Sequence, residues 1–403
     1  MKHTQDYRYQ NISGAGRNCD DRWDIISKYI KGNQNTLSID VGSAEGVFSK
    51  RIVEKTGGKV VSIEGSDFVY NEQLNYCSDE INSHNIQLHK IALNRDNINQ
   101  FLNNDYDYTL LMSVLHWCDE PDIILKSLSD KSEYIFVELP DLNDSKSYGQ
   151  EYLQRIKRDF GNIENYLQET TNKPIVGAYK VEGNNSEYRV VYVLKNTPNV
   201  ELVDIDDVYH LIHGDEEKIE YSYISGSFKA VPISKSPVVS YINGDLENYR
   251  SQPKLFYRRE DTIDYLLNEY ESGDRDWLMK AVWYKGRYVM SDGMHRSSVL
   301  YTKGYRKVFV EIVSGASEKT ATFERFLKDE NFVNPDVDNY VDNPINDGHY
   351  LELMDRTHVA CCMVSDHLVE HPLSIADVEI RTILEEALNK LAEAYQIIGS
   401  KTP

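Results

Sequence analysis

Short apolar runs separated by polar stretches dominate the first half of the chain. Five of them predict strands of a parallel sheet, because a strand covered on both faces is continuously apolar. These runs lie at 36–41, 60–64, 86–93, 108–117 and 134–140. Two more runs, at 175–181 and 188–194, flank Gly183-Asn184-Asn185 and predict an antiparallel hairpin. The pattern therefore predicts a seven-stranded α/β domain.

The first strand ends in a glycine-containing turn, Asp40-Val41-Gly42-Ser43-Ala44-Glu45-Gly46. Glycine suits a sharp turn from strand to helix, because it accepts positive φ and leaves room for close contacts. The N–H groups at the start of the helix can then meet a polar ligand. The second strand ends in Glu64 and Gly65, and an acid at such a place accepts both hydroxyls of a ribose.

Two ligands fit a turn of this kind, a dinucleotide and S-adenosylmethionine (SAM). The G-x-G-x-x-G spacing of a dinucleotide site is absent, since Ser43 and Ala44 follow Gly42. Asp40 repels a phosphate but attracts the cationic amino-acid end of SAM. An ordinary βα turn without a ligand is the remaining alternative.

The turn resembles the first motif of class I SAM-dependent methyltransferases. The resemblance implies a Rossmann-like fold and a SAM site that includes the turn, the ribose-binding Glu64 with Gly65, and residues beyond the next two strands. In this chain, the residues of that SAM site would be Asp40, Gly42, Ser43, Ala44, Glu45, Gly46, Glu64, Gly65, Ile91, Ala92 and Ser113. Ile91 and Ala92 lie where the family brackets the adenine.

His116 follows the fourth predicted strand, at the sheet edge where ligands of parallel sheets are held. Imidazole accepts a proton near neutral pH, so His116 is a candidate general base or substrate contact. A packed, hydrogen-bonded histidine under a loop is the alternative.

Residues 17–26 resemble the corresponding prefix of methyltransferases that occur with the enzymes of bacterial surface-polysaccharide assembly. This resemblance implies methyl transfer to an oxygen of a saccharide or saccharide phosphate. Without such a role, Arg17 and Arg22 are expected to make surface ion pairs with nearby acids.

Composition restricts the partners of the chain. Its 403 residues carry a formal net charge of -21, with 44 Lys+Arg against 65 Asp+Glu. This acidity argues against nucleic acid or an anionic membrane as the main partner. The five cysteines form no C-x-x-C pair, which predicts reduced thiols in a cytoplasmic protein. We expect no integral membrane segment and no signal peptide.

A second domain is predicted after the polar stretch at 195–199. Short strands are expected at 200–207 and 230–237, a charged helix at 261–270, and a hairpin at 283–290. The hairpin leads into a helix through Asp292-Gly293-Met294-His295-Arg296. Helix N–H groups, the Arg296 fork and the His295 donor together make an anion site, for which phosphate is the natural ligand.

This second turn resembles the D-G-x-H-R turn of the ParB and sulfiredoxin superfamily, and 305–312 fits the strand that follows it. The resemblance implies ATP or another nucleotide, bound through residues that include Gly293, His295 and Arg296. The acidic chain lacks an obvious basic domain that could clamp DNA, which argues against a partition CTPase. Met294 stands where sulfiredoxins carry a cysteine, which argues against reductase chemistry. Kinase-like phosphoryl transfer with Mg²⁺ is the superfamily activity that remains.

Asp206 and Asp207 are the acids that we would assign to that transfer, although they can equally be exposed, solvated side chains. Asp292 and Arg296 can likewise form an internal salt bridge that fixes the turn.

The last part of the chain is predicted to be helical. Apolar residues recur at helical spacing at Ile380, Ile383, Leu384, Ala387, Leu388, Leu391, Tyr395 and Ile398. This stripe predicts an antiparallel helical pair or the seam of a homo-oligomer. His367 and His371 are four residues apart, but Pro372 follows directly, so we assign no metal.

The sequence thus predicts a SAM-dependent methyltransferase domain at 1–196, a smaller α+β ParB/sulfiredoxin-like domain at 198–315 and a helical region at 345–400. The leading hypothesis is a bifunctional enzyme that methylates a saccharide or saccharide phosphate and carries an ATP-dependent kinase-like domain. In the alternatives, the second domain only senses nucleotide or grips the glycan, or the methyltransferase fold is a silent scaffold.

Overall fold

The computed structural model describes residues 19–142, 149–183, 188–213, 228–251, 260–284, 287–312, 347–369, 374 and 376–401. These residues form two units: one holds two β-sheets, and the other is made of the helices after residue 346.

The first sheet has seven strands. They are β1 (Leu37–Val41), β2 (Lys59–Glu64), β3 (Ile86–Lys90), β4 (Tyr106–Met112), β5 (Ser132–Pro140), β6 (Ile175–Glu182) and β7 (Tyr188–Lys195). Their order is β3-β2-β1-β4-β5-β7-β6, with β1 to β5 parallel and β7 antiparallel to both of its neighbours. The predicted seven-stranded Rossmann-like sheet and its closing hairpin are confirmed. The centre of the hairpin turn, Asn184-Asn185, lies outside the described residues.

Helices contribute to the cores on both faces of this sheet. They are α1 (Cys19–Tyr29), α2 (Val47–Thr56), α3 (Asp67–Tyr76), α4 (Ser78–Asn82), α5 (Pro121–Ser129), α6 (Gln150–Phe160) and α7 (Ile163–Thr171). Leu110 of β4 joins the apolar cluster that contains α1 and α2, and the next residue, Leu111, joins the cluster that contains α5 and α7. Successive side chains point to opposite faces of a strand, so a sheet covered on both faces needs the continuous apolar runs seen in the sequence.

The second sheet has six described strands: β8 (Val200–Asp204), β9 (Val208–His213), β10 (Phe228–Pro232), β11 (Lys280–Tyr284), β12 (Arg287–Asp292) and β13 (Lys307–Ile312). Their order is β10-β9-β12-β11-β13-β8. The associated helices are α8 (Pro237–Ile242), α9 (Leu246–Ser251), α10 (Glu260–Ser272) and α11 (Met294–Thr302). Strand β9 was not predicted from the sequence. Residues 205–207, expected to extend β8, form a single 3₁₀ turn instead.

The second sheet docks on the first through α7 and β6. Gln168 of α7 donates to the Lys307 carbonyl over 3.2 Å, and Arg306 pairs with Glu169 at 2.7 Å. The loop after α10 hydrogen-bonds to the outer edge of β6, because the N–H of Ala178 donates to the Gly273 carbonyl over 2.8 Å. This pairing covers an edge strand that would otherwise expose unpaired backbone groups.

The second unit contains two long helices, α12 (Asp347–Val364) and α13 (Val378–Lys401), with a π-helical turn at Ser365–Val369. Asp377 caps α13, since its Oδ1 accepts from the Ile380 N–H over 3.2 Å. The ring of His358 on α12 lies 5.8 Å from that of Tyr395 on α13. The predicted break at His371 and Pro372 lies outside the described residues. No helix in the described part of the chain is both long and apolar enough to cross a bilayer.

Candidate functional site

A pocket opens at the carboxyl ends of β1, β2 and β4, where the order of the parallel strands reverses. It encloses about 900 Å³, its open mouth included. Seven of the predicted donor-site residues line it, namely Gly42, Ala44, Glu64, Gly65, Ile91, Ala92 and Ser113. The structure therefore brings together residues from four separate chain segments that the sequence assigned to one ligand.

The turn between β1 and α2 has the backbone geometry expected for a close approach to a ligand. Gly42 and Gly46 have φ of 66° and 86°. Ala44 adopts φ 50° and Ser113, which also lines the pocket, adopts φ 58°, which non-glycine residues rarely do. Strained residues of this kind persist where their surroundings over-determine them, often at functional sites.

Glu64 connects this turn to the loop after β2. Its Oε2 accepts from the Ala44 N–H over 3.0 Å, and its Oε1 accepts from the Ser66 N–H over 2.7 Å. Burial raises the pKa of Glu64, and these backbone hydrogen bonds oppose that rise by favouring the charged form. The carboxylate is thus fixed in place on the pocket wall.

Asp40 lies behind the turn and does not line the pocket. It is 1% exposed, and its Oδ2 accepts from Ser49 Oγ over 2.7 Å. Burial raises the pKa of Asp40 to about 7, and the nearby charge of Glu64 adds to the rise. Ser43, Glu45 and Gly46 are also absent from the pocket wall.

An ion pair between Arg22 of α1 and Glu138 of β5 stands on the pocket wall. Arg22 Nε donates to Glu138 Oε2 and Nη2 donates to Oε1, both over 2.9 Å. Each residue is 1% exposed, so the alternative of a surface ion pair is wrong for Arg22, and Arg17 lies outside the described residues. Arg189 lies beside the pair and donates to Ser113 Oγ over 2.9 Å. Sequence reasoning missed the pair, although Glu138 ends an apolar run as Glu64 does.

His116 lies in a 3₁₀ turn after β4 and is 6% exposed. Its backbone and Cβ lie against Gly149, where an added Cβ would come within 2.7 Å of the His116 carbonyl oxygen. The pocket wall carries its neighbours Trp117 and Cys118 instead. This placement favours the packed histidine over the general base.

The second predicted turn is closed by its own side chains. Gly293, with φ 97°, precedes α11, and Arg296 Nη2 lies 2.9 Å from Asp292 Oδ2. Arg296 also donates to the Leu278 carbonyl. The internal salt bridge foreseen as an alternative is therefore present.

Behind this turn, His210 of β9 is fully buried and contacts Ser297 of α11. His210 Nε2 lies 2.9 Å from Ser297 Oγ, and Nδ1 lies 2.9 Å from Ser236 Oγ. Burial lowers the pKa of His210 to about 3, which keeps the ring neutral. His295 is half-buried on the first turn of α11.

Asp206 and Asp207 are exposed in the 3₁₀ turn after β8. The next residue, Val208, pairs with Tyr288 near the start of β12, whereas the turn at Gly293 follows the end of that strand. The distance along the strands is roughly 15 Å. The structure does not bring these acids to the second turn. No cluster of three or more potential metal ligands occurs within the described ranges.

No protein-family model and no curated protein matches the chain. Among solved structures, it is similar to the bifunctional kinase-methyltransferase WbdD, with 19% identity over 47% of this chain and 44% of that chain, and a TM-score of 0.37. The N-terminal domain of EvdMO1 with SAH bound shows 14% identity over 45% of this chain and 82% of that chain, with a TM-score of 0.34. A SAM dependent methyltransferase from Aquifex aeolicus shows 15% identity over 44% and 90%, with a TM-score of 0.31.

The chain thus spans less than half the length of the WbdD structure.

Proposed function

We propose that the chain is a SAM-dependent O-methyltransferase whose donor site is the pocket at the ends of β1, β2 and β4. One observation carries the proposal. The glycine turn, the acid Glu64 and the adenine-side residues Ile91 and Ala92 were assigned to SAM from separate parts of the sequence, and they line one pocket. An ordinary βα turn without a ligand would not require these separate residues to line the same pocket.

The charges of the pocket suit the parts of SAM. We assign Glu64 to the ribose hydroxyls. Arg22 is the one cation among the described residues that line the pocket, and it is the group that we assign to the donor's carboxylate. Asp40 acts from behind the turn, where its negative charge favours the cationic centres of the donor through a medium of low dielectric.

SAM supplies an electrophilic methyl group, and the chain has to align an acceptor oxygen with it. Such a transfer depends mainly on placement and needs only modest help from a base. We expect the acceptor to bind on the side of the pocket that Ser113 and Trp117 line. We propose a saccharide or saccharide phosphate of bacterial surface polysaccharide, on the likeness of residues 17–26.

Calorimetric titration with SAM tests the donor site. We expect the wild type to bind SAM and Glu64→Gln to lose this binding. The carboxamide has one acceptor oxygen instead of two, so it cannot accept from the N–H groups of both Ala44 and Ser66. Glu54→Gln is the matched control, since Glu54 is an exposed acid on α2. Labelled-methyl transfer to plain and phosphorylated sugars then identifies the acceptor class. A wild type that does not bind SAM contradicts the proposal.

Among the described residues of 198–315, the acids assigned to kinase-like transfer are not near the turn at Gly293. Phosphoryl transfer needs a carboxylate near the acceptor hydroxyl. The candidates Asp206 and Asp207 lie at the far end of the strands, and Asp292 is paired with Arg296. We propose that ATP or another nucleotide binds at Gly293 and His295 by displacing this pair and that the domain senses it.

Incubation with ATP, Mg²⁺ and sugar acceptors separates the alternatives. Nucleotide binding without ADP formation supports the sensor. ADP formation that requires both the acceptor and Arg296 supports the kinase and overturns the sensor. Glycan binding without nucleotide binding supports a module that only grips the glycan.

A further inference from the structure

Gln73 of α3 lies fully buried beneath the turn between β1 and α2. Its Oε1 accepts from Ser43 Oγ over 2.8 Å, and its Nε2 donates to Ser62 Oγ over 2.8 Å. A Cβ added to Gly46 would lie 2.7 Å from the same Nε2. The carboxamide therefore joins the turn to β2 and leaves no room for a larger residue at Gly46.

Hydrogen bonds continue from Gln73 to Asp40. Ser62 Oγ lies 2.7 Å from Ser49 Oγ, which in turn donates to Asp40 Oδ2 over 2.7 Å. The single hydroxyl proton of Ser49 is committed to Asp40, so Ser62 donates to Ser49, and Gln73 donates to Ser62. When Asp40 is ionised, every donor in this chain therefore points toward its carboxylate.

The same two loops are also tied together at the pocket wall. Glu64 accepts from the N–H groups of Ala44 and Ser66, and α3 begins directly after Ser66. Glu64 therefore joins the two loops on the pocket side, and Gln73 joins them on the buried side. Ala44, between these two sets of hydrogen bonds, has a left-handed backbone conformation with φ 50°.

We infer that Gln73 is a positioning residue of the donor site, an inference that rests on the proposed SAM binding. It holds the N–H groups of the turn and the Glu64 carboxylate at the separation required to bind one donor molecule. Gln73 does not line the pocket; it acts on the turn through Ser43 and on Asp40 through the chain of hydroxyl groups. A buried glutamine with a structural role alone would stabilise the fold and leave the affinity of the folded protein unchanged.

The test compares Gln73→Met with Thr109→Val. Methionine matches the length of glutamine but has no amide, so it removes both hydrogen bonds. Thr109 is also fully buried, and its Oγ1 lies 2.5 Å from Ser132 Oγ in the same sheet, away from the turn. We expect Gln73→Met to raise the calorimetric Kd for SAM about tenfold, the effect of losing one to two net hydrogen bonds. Thr109→Val should lower Tm and leave Kd unchanged.

Ser43→Ala supplies a milder variant, because it removes a single hydroxyl and keeps the turn. We expect it to raise Kd in the same direction, and the double variant Ser43→Ala/Gln73→Met to bind no more weakly than Gln73→Met alone. If Gln73→Met does not fold, Ser43→Ala and Ser62→Ala carry the comparison. Wild-type affinity in all folded variants overturns the inference alone, whereas a wild type that does not bind SAM overturns it together with the proposed function.

Discussion

The charge of Asp40 couples the stability of the protein to pH. Burial raises its pKa from 3.8 to about 7, so the folded chain binds this proton more tightly than the unfolded chain. The stability therefore falls as pH rises from about 4 to about 7, and the loss is complete above that range. Asp40→Asn removes the titration and keeps an oxygen for Ser49. We expect Tm of this variant, relative to wild type, to increase between pH about 5 and about 7.5.

The same substitution should weaken SAM binding at neutral pH, because it removes a negative charge near the cationic end of the donor. Asp79→Asn, an exposed acid on α4, is the control for both measurements. A Tm difference that does not change with pH, together with an unchanged Kd, contradicts the role given to Asp40.

Breaking the Arg22–Glu138 pair is expected to destabilise the first sheet strongly. Removing Arg22 leaves the buried Glu138 with the longer contact to Arg189, whose Nε lies 3.9 Å from Glu138 Oε1, and we expect this loss to cost about 3 kcal/mol. Arg22→Met should show this loss in urea unfolding, and Arg22→Met/Glu138→Leu should lose less than the sum of the single variants. Lys126→Met, which breaks an exposed pair with Asp130, should cost less than about 1 kcal/mol. Additive losses would show that the pair contributes little.

The place of Glu64 on the pocket wall could be predicted from the sequence because it depends on the end of an apolar run, which is local information. The burial of Arg22 could not be predicted, since its partner Glu138 is 116 residues away. Gln73 was missed for the same reason, because Ser43 lies 30 residues before it. Asp40 was predicted at the right turn, but its direction away from the pocket depends on Ser49 in the following helix.

At the scale of elements, the strands of the first sheet were the most predictable because burial on both faces makes them continuously apolar. Strand β9 was missed because one of its buried positions is a histidine. Val208, His210 and Ile212 alternate on the buried side, and His210 is accommodated there by hydrogen bonds to Ser236 and Ser297. A histidine counts as polar in a sequence pattern, so the alternation is interrupted at its centre.

The contact between β6 and the loop after α10 depends on Gly273. Its φ is 102°, and an added Cβ would lie 2.6 Å from the Ala178 carbonyl oxygen. Gly273→Ala should therefore both strain the backbone and push the loop off β6. Gly244→Ala is the matched control, because Gly244 has φ 83° and open space around it. We expect a clearly larger drop in Tm for Gly273→Ala and faster hydrogen exchange at the Ala178 N–H. Equal effects would show that backbone strain alone matters there.

At the scale of the whole molecule, Arg275 contacts groups that belong to both sheets. Its guanidinium lies 3.9 Å from the centre of the Tyr270 ring. Nη1 donates to Tyr305 over 2.9 Å and to Glu164 of α7 over 3.2 Å. Since Glu164 belongs to the first sheet's layer and both tyrosines belong to the second half, the cation satisfies groups from both sides.

Arg275→Met should therefore uncouple the unfolding of the two sheets. Methionine fills part of the space but leaves the Glu164 carboxylate in the interface without its cation, which favours separation of the two surfaces. We expect scanning calorimetry of the full chain to show the two sheets melting in one transition in the wild type and in two transitions in the variant. Arg158→Met removes an arginine whose pair with Asp159 is exposed, and it should leave the single transition intact. A single transition in Arg275→Met, shifted no further than in the control, would mean that backbone pairing along β6 and the contacts of α7 hold the sheets together without this cation.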